Sequence, residues 1–83
     1  MTAARKVRIT YCAECGYERQ TLDLAKALML EFGARLSSIE LIPWEGGAFD
    51  VSVDGQLIHS MNRDGGFPDD NAIKEAVRAR LSA

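Results

Sequence analysis

The 83-residue chain is short of several things that would mark a specialised environment. Two cysteines are too few for the disulfide framework of a small secreted domain. No apolar run approaches the roughly 20 residues needed to span a bilayer. The basic start, Arg5-Lys6-Val7-Arg8, is not followed by the apolar stretch of a secretory signal. Positive charge is not in excess either. Ten Lys+Arg against 12 Asp+Glu leave a net charge of -2, which argues against a nucleic-acid binder driven by phosphate neutralisation. The expected location is the cytoplasm, with neither nucleic acid nor membrane as partner.

What is present belongs to an ordinary globular protein: 47% hydrophobic and 27% charged residues, enough for one modest core and so for one domain over residues 1–83. Lys6 to Tyr11 alternate, with Val7, Ile9 and Tyr11 on one side, as in a half-buried strand. From about Tyr17 to Phe32 the period becomes helical, with a start as early as Cys15. Leu22, Ala25, Leu28, Met29 and Phe32 form the expected buried stripe, and Gly33 is the expected stop. A second strand is expected over about Ser38 to Trp44. Ala48 to Met61 reads as a hairpin about Asp54-Gly55, which pairs Val53 with Gln56, Ser52 with Leu57, Val51 with Ile58 and Asp50 with His59. Asn62 to Pro68 is expected as a loop. The last helix should cover about Asp69 to Leu81, burying Ile73, Ala76, Val77 and Leu81.

The order strand, helix, strand, strand, strand, helix predicts an α/β fold, βαβββα. A right-handed crossover makes the first two strands parallel, and the hairpin adds two antiparallel ones. Both helices should cover one face of the mixed four-stranded sheet. The other face would carry Arg8, Thr10, Glu40, Asp50, Ser52 and His59, with Ile42, Leu57 and Met61 among them. It is a candidate surface for weak self-association.

Chemistry concentrates in Cys12-Ala13-Glu14-Cys15, where the first strand gives way to the first helix. Backbone N–H groups and the positive helix end there favour a thiolate, and a cysteine in a Cys-X-X-Cys motif titrates at roughly 3.5–7.5 rather than about 8.5. The thiolate is the nucleophile of disulfide exchange, and this spacing lets one sulfur displace a partner from the other. Glu14 between them is expected to face solvent. Two other uses of the pair remain open. A zinc site would need four ligands, and His59 is the one good third. Two inert, buried cysteines are the simplest alternative.

Three segments carry a resemblance: Tyr11-Cys12-Ala13-Glu14-Cys15-Gly16-Tyr17, Gly47-Ala48-Phe49-Asp50-Val51-Ser52-Val53-Asp54-Gly55, and Asp64-Gly65-Gly66-Phe67-Pro68. In order and spacing, from about Val7 to Leu81, the chain resembles the selenoprotein W/T/H (Rdx) family, its bacterial selenoprotein W-like members above all. The resemblance implies a thioredoxin-like fold and a redox role for Cys12 and Cys15, acting on protein disulfides or on glutathione as substrate. No cofactor is expected, and no metal, since the chain offers too few good ligands beside the pair. In selenium-containing members the motif ends in selenocysteine, at the position of Cys15. Thioredoxins also have a cis-proline before the strand that faces their cysteines, where this chain has Gly47-Ala48. Thioredoxin logic makes Cys12 the exposed attacker and Cys15 the resolver. The selenocysteine position points the other way, and the reading leans to Cys12.

The loop Gly65, Gly66, Phe67 and Pro68 is the candidate partner contact. In a thioredoxin-like arrangement it approaches the cysteine turn, with glycines that admit a partner's backbone and Phe67 as an apolar contact. Equally, the glycines supply positive-φ turns and Phe67 belongs to the core. His59 is expected as an outward cross-strand partner of Asp50 rather than a proton shuttle. Trp44 is expected to pack at the edge of the core. The favoured function is a thiol–disulfide oxidoreductase. The alternative is a redox-responsive protein-binding module without multiple turnover.

Overall fold

A computed structural model describes residues 5–82; residues 1–4 and residue 83 lie outside it. Strand β1 (Arg5–Cys12) leads through a turn to helix α1 (Glu18–Phe32), and a single 3-10 turn at Gly33–Arg35 connects to β2 (Leu36–Trp44). Then come β3 (Phe49–Val53), β4 (Gln56–Ser60), a one-turn helix α2 (Met61–Asp64) and α3 (Asp70–Leu81). The sheet order is β2-β1-β3-β4, with β1 parallel to β2 and antiparallel to β3. Central β1 is thus the element to which both halves of the sheet attach. Val7, Ile9, Val51 and Val53 from the sheet pack with Leu24 and Leu28 of α1 and Ile73 and Val77 of α3 in one core. Both long helices therefore cover the same face, as expected.

The Asp54-Gly55 turn has φ 51° and 84° at its two central residues, the positive-φ pair that matches strand twist. Asp54 also ties the turn to β1. Its carboxylate accepts from the Lys6 N–H at 2.9 Å and from Arg5 Nη1 at 2.8 Å. The Arg5 hydrogen bond, followed by that from Lys6, holds the Asp54 carboxyl below its ordinary pKa.

Three expectations are corrected. The buried stripe of α1 is Thr21, Leu24, Ala25, Leu28 and Phe32, while Leu22 and Met29 are 59% and 62% exposed. Thr21 tolerates burial because its hydroxyl donates to the Tyr17 carbonyl at 2.8 Å. The hairpin keeps the expected pairs Val53–Gln56 and Ser52–Leu57, then a bulge intervenes, so that Val51 faces His59 and Asp50 faces Ser60. Ile58 still packs on the core, but His59 no longer faces Asp50. Finally, the expected loop over residues 62–68 opens with α2, which carries Met61 onto the core instead of the open face.

Candidate functional site

The cysteine turn is built between three elements. β1 ends at Cys12, whose N–H donates to the Ala48 carbonyl at 2.7 Å, and the next N–H, of Ala13, donates to the Trp44 carbonyl at 3.0 Å. These bonds fix the turn to the end of β2 and to the start of β3. The chain then folds back on itself, with Gly16 N–H to Ala13 O at 3.3 Å and Tyr17 N–H to Cys12 O at 3.4 Å. Gly16 has φ 77°, which suits a residue without Cβ. Cys12 and Cys15 are joined by a disulfide, with Cα atoms 5.3 Å apart.

The two sulfurs are not equivalent. Cys12 is fully buried and Cys15 is exposed. This overturns the expectation of an exposed Cys12: the first position is the last residue of a central strand, covered by its neighbours, and the second lies out on the turn. The helix starts where the main expectation put it, next to Tyr17, and not at the earlier limit of Cys15. α1 begins at Glu18, and its first hydrogen bond runs from the Thr21 N–H to the Tyr17 carbonyl. No side chain caps this end. The N–H groups of Glu18, Arg19 and Gln20 thus precede the helical ladder and keep the end of the turn electropositive. Glu14 is exposed, and it accepts from the Gly46 N–H at 3.3 Å.

The loop singled out in the sequence does come to this turn. Phe67 sets its ring edge-on to Tyr17, centroids 4.8 Å apart, and to Phe49 at 5.0 Å, yet remains 42% exposed. Phe67 thus packs at the core edge through Phe49 and leaves part of its ring exposed beside Tyr17, two residues after Cys15. Gly65 and Gly66 have φ 74° and 85°, and a Cβ at either would meet open space. Their backbone conformation is therefore what demands glycine. The Gly65 N–H closes α2 on the Met61 carbonyl at 2.9 Å.

His59 braces this loop, a role the sequence reading missed. Its Nε2 lies 2.9 Å from the Gly66 carbonyl and its Nδ1 3.6 Å from Asp64 Oδ2. Asp64 in turn accepts from the Ser60 N–H at 3.0 Å and from Arg63 through both carboxylate oxygens. The Arg63 hydrogen bonds, then that of Ser60, hold the Asp64 carboxyl down to about 2. The cause of the misreading is the bulge, which turns His59 from the open face toward the loop. Tyr17 adds a second tie by donating its hydroxyl to Met61 Sδ at 3.9 Å.

Two further residues depart from their expected places. Trp44 is 61% exposed rather than packed at the core edge. His59, the third ligand that a zinc site at the cysteines would require, is engaged with the loop, and the cysteines are bonded to each other. Among the described residues no three His, Cys, Asp or Glu side chains converge on a common metal position, and no peptide bond is cis. Nor is any helix long and apolar enough to cross a membrane.

Comparison with known proteins agrees with the geometry. The family model described as the Rdx family matches residues 6–79. Selenoprotein W of Macaca mulatta is 37% identical over 84 residues, covering 95% of this chain and 97% of that protein. Migration and invasion enhancer 1 of Mus musculus is 38% identical over 72 residues, which cover 84% of this chain but only 59% of that protein's length. Among solved structures, a Bordetella parapertussis protein superposes with a TM-score of 0.91 at 32% identity, covering 95% of this chain and all of that one. A selenoprotein W-related protein from Vibrio cholerae gives the same TM-score at 26% identity, covering 95% of this chain and 99% of that one.

Proposed function

The chain belongs to the Rdx family and has its thioredoxin-like fold, and from that premise we propose that it is a thiol–disulfide redox protein in which Cys15 attacks and Cys12 resolves. The observation that carries this reading is the asymmetry of the pair: one sulfur is buried at the end of a central strand and its partner is exposed on the turn. A bulky disulfide can approach Cys15. Cys12 has to reach only the Cys15 sulfur, to which it is bonded here.

In the reduced protein the Cys15 thiolate attacks one sulfur of a substrate disulfide. The substrate S–S bond breaks, a Cys15–substrate bond forms, and one substrate thiolate leaves. Cys12 then gives up its proton and attacks the Cys15 sulfur. The internal disulfide closes and the second substrate thiolate departs. Two electrons pass to the substrate, and its thiolates take up the protons that the pair has lost. Two equivalents of an external thiol, or one dithiol, return the pair to its reduced form. The N–H groups ahead of the helical ladder favour the thiolate that starts the cycle. Protein disulfides and glutathione disulfide are the substrate classes, and a reducing compartment, the cytoplasm, is where such a pair would work.

The second reading, a redox-responsive binding module, draws on the same exposed Phe67. It differs in predicting a single turnover. Mixed-disulfide trapping in cell extract decides between cysteines. Cys12→Ser, which retains the attacker, should accumulate covalent partners, whereas Cys15→Ser should not. The reverse pattern would exchange the two roles. If neither variant traps a partner and the native pair resists oxidation by glutathione disulfide, the redox reading fails.

A further inference from the structure

We propose that the pocket between α1 and the loop leading into α3 receives a lysine or arginine side chain of a protein substrate, so that this protein selects disulfides flanked by a basic residue over glutathione disulfide. The proposal deepens the thiol–disulfide reading and rests on it.

The pocket has a volume of about 170 Å³. Small-molecule sites run to about 300–1,000 Å³, so the space suits a single long side chain rather than a cofactor. Leu24 and Phe49, both buried, form its floor, and Phe67 and Pro68 its wall. Gln20, Asp23 and Asp70 complete the lining with polar groups. An apolar floor beside carboxylates fits a side chain with an aliphatic stem and a cationic head, which is the build of lysine and arginine.

The carboxylates are available for it. The ion pairs among the described residues engage Glu31, Glu40, Asp54, Asp64 and Glu75, but neither Asp23 nor Asp70. Asp69, next to Asp70, is already used: it caps α3 by accepting from the Ala72 N–H at 3.2 Å. Asp23 and Asp70 also line the adjoining groove, where Lys26, Glu31 and Lys74 join them, and Lys74 lies 3.8 Å from Glu31. On the Phe67 side the two carboxylates share the lining with no lysine or arginine.

Phe67 connects the pocket to the chemistry. It lines the pocket and meets Tyr17, two residues after Cys15. From Tyr17 to Asp23 the helix rises about 9 Å, and an extended substrate advances about 3.3–3.6 Å per residue. The basic residue thus falls about two to four positions from the substrate cysteine. Glutathione has no such side chain, and its carboxylates outnumber its amine, so it gains nothing from the pocket.

The test uses the full chain, reduced, with disulfide-linked homodimers of a short cysteine peptide carrying Lys, norleucine or Glu three positions from the cysteine, and with glutathione disulfide. The Lys peptide should be reduced about fivefold faster than the Glu peptide at low salt, with the difference shrinking as salt rises. In the double variant Asp23→Asn/Asp70→Asn the Lys-to-Glu rate ratio should fall close to one, and Asp23→Lys should invert it. A second measurement needs no turnover: the Lys peptide with Ser for Cys should shift the NMR signals of Asp23 and Phe67. Equal rates for the Lys and Glu peptides, or glutathione disulfide matching the Lys peptide, would overturn the proposal. Turnover of every disulfide without pocket shifts removes the pocket and leaves the redox reading. Pocket shifts with the Ser peptide but no turnover of any disulfide remove the redox reading instead, and with it the selectivity claimed here.

Discussion

Asp64 is the residue on which the loop beside the cysteine turn depends. It holds the Ser60 N–H and the Arg63 guanidinium and faces the ring of His59, which itself reaches Gly66. Its carboxyl is lowered from 3.8 to about 2 in the folded protein. A lowered carboxyl contributes stability that is present in full above the unfolded value and is lost as pH falls through the folded one. The contribution should therefore persist at neutral pH and disappear between about pH 4 and 2. Hydrogen exchange at the Ser60 amide across that window, compared with Asp64→Asn at neutral pH, measures it. Protection that stays constant down to pH 2 would mean that other contacts hold the loop. Cys12 and Cys15 show the other side of the residue scale. Their types and spacing announce exchange chemistry from the sequence, but which sulfur faces solvent depends on burial at the end of β1, and no spacing rule contains that.

At the scale of the element, helix α1 shows how an amphipathic segment can be identified correctly and rotated wrongly. Leucines at 22, 24, 28 and 30 with Met29 allow more than one apolar stripe. The sheet selects the one containing Thr21, Leu24 and Leu28, because these fill the space over Val7, Ile9 and Val51. Leu28→Ala should therefore cost about 2–5 kcal/mol, and Leu22→Ala no more than about 0.5 kcal/mol. Urea unfolding midpoints of the two variants give the comparison, and equal losses would contradict the observed rotation. The hairpin is a parallel case. Asp54-Gly55 dictates the pairs next to the turn, but the bulge further along answers to sheet twist and to the packing of Ile58, which act from outside the hairpin. Helix α2 has a single turn, too short for any periodicity to reveal it.

At the scale of the molecule, the disulfide should be chemistry more than scaffolding. It closes a loop with a sequence separation of 3, and loop closure that short contributes no more than about 2 kcal/mol. Cys12 ends the β1–β2 pairing opposite Trp44, while the rest of that pairing, the pairing of β1 with β3 and the helix–sheet core are built without either cysteine. Reduction should leave the fold intact and lower its stability by at most about that amount. Unfolding in urea with and without a dithiol, followed through Trp44, the one tryptophan and the register partner of Cys12, provides the measurement. A reduced chain that no longer folds would make the pair a structural staple.

The order of the strands and the two long helices, the side of the sheet that carries the core, the Asp54-Gly55 turn and the Cys12/Cys15 pair as the candidate site were all set by the sequence alone. Each depends on local periodicity, backbone preference or residue chemistry, which neighbours along the chain suffice to express. The rotation of α1, the slip at Val51, the turn of His59 toward Gly66 and the burial of Cys12 beneath an exposed Cys15 were decided only in three dimensions. Each is settled by which distant side chains compete for the same volume, and that competition begins only when the sheet and helices meet.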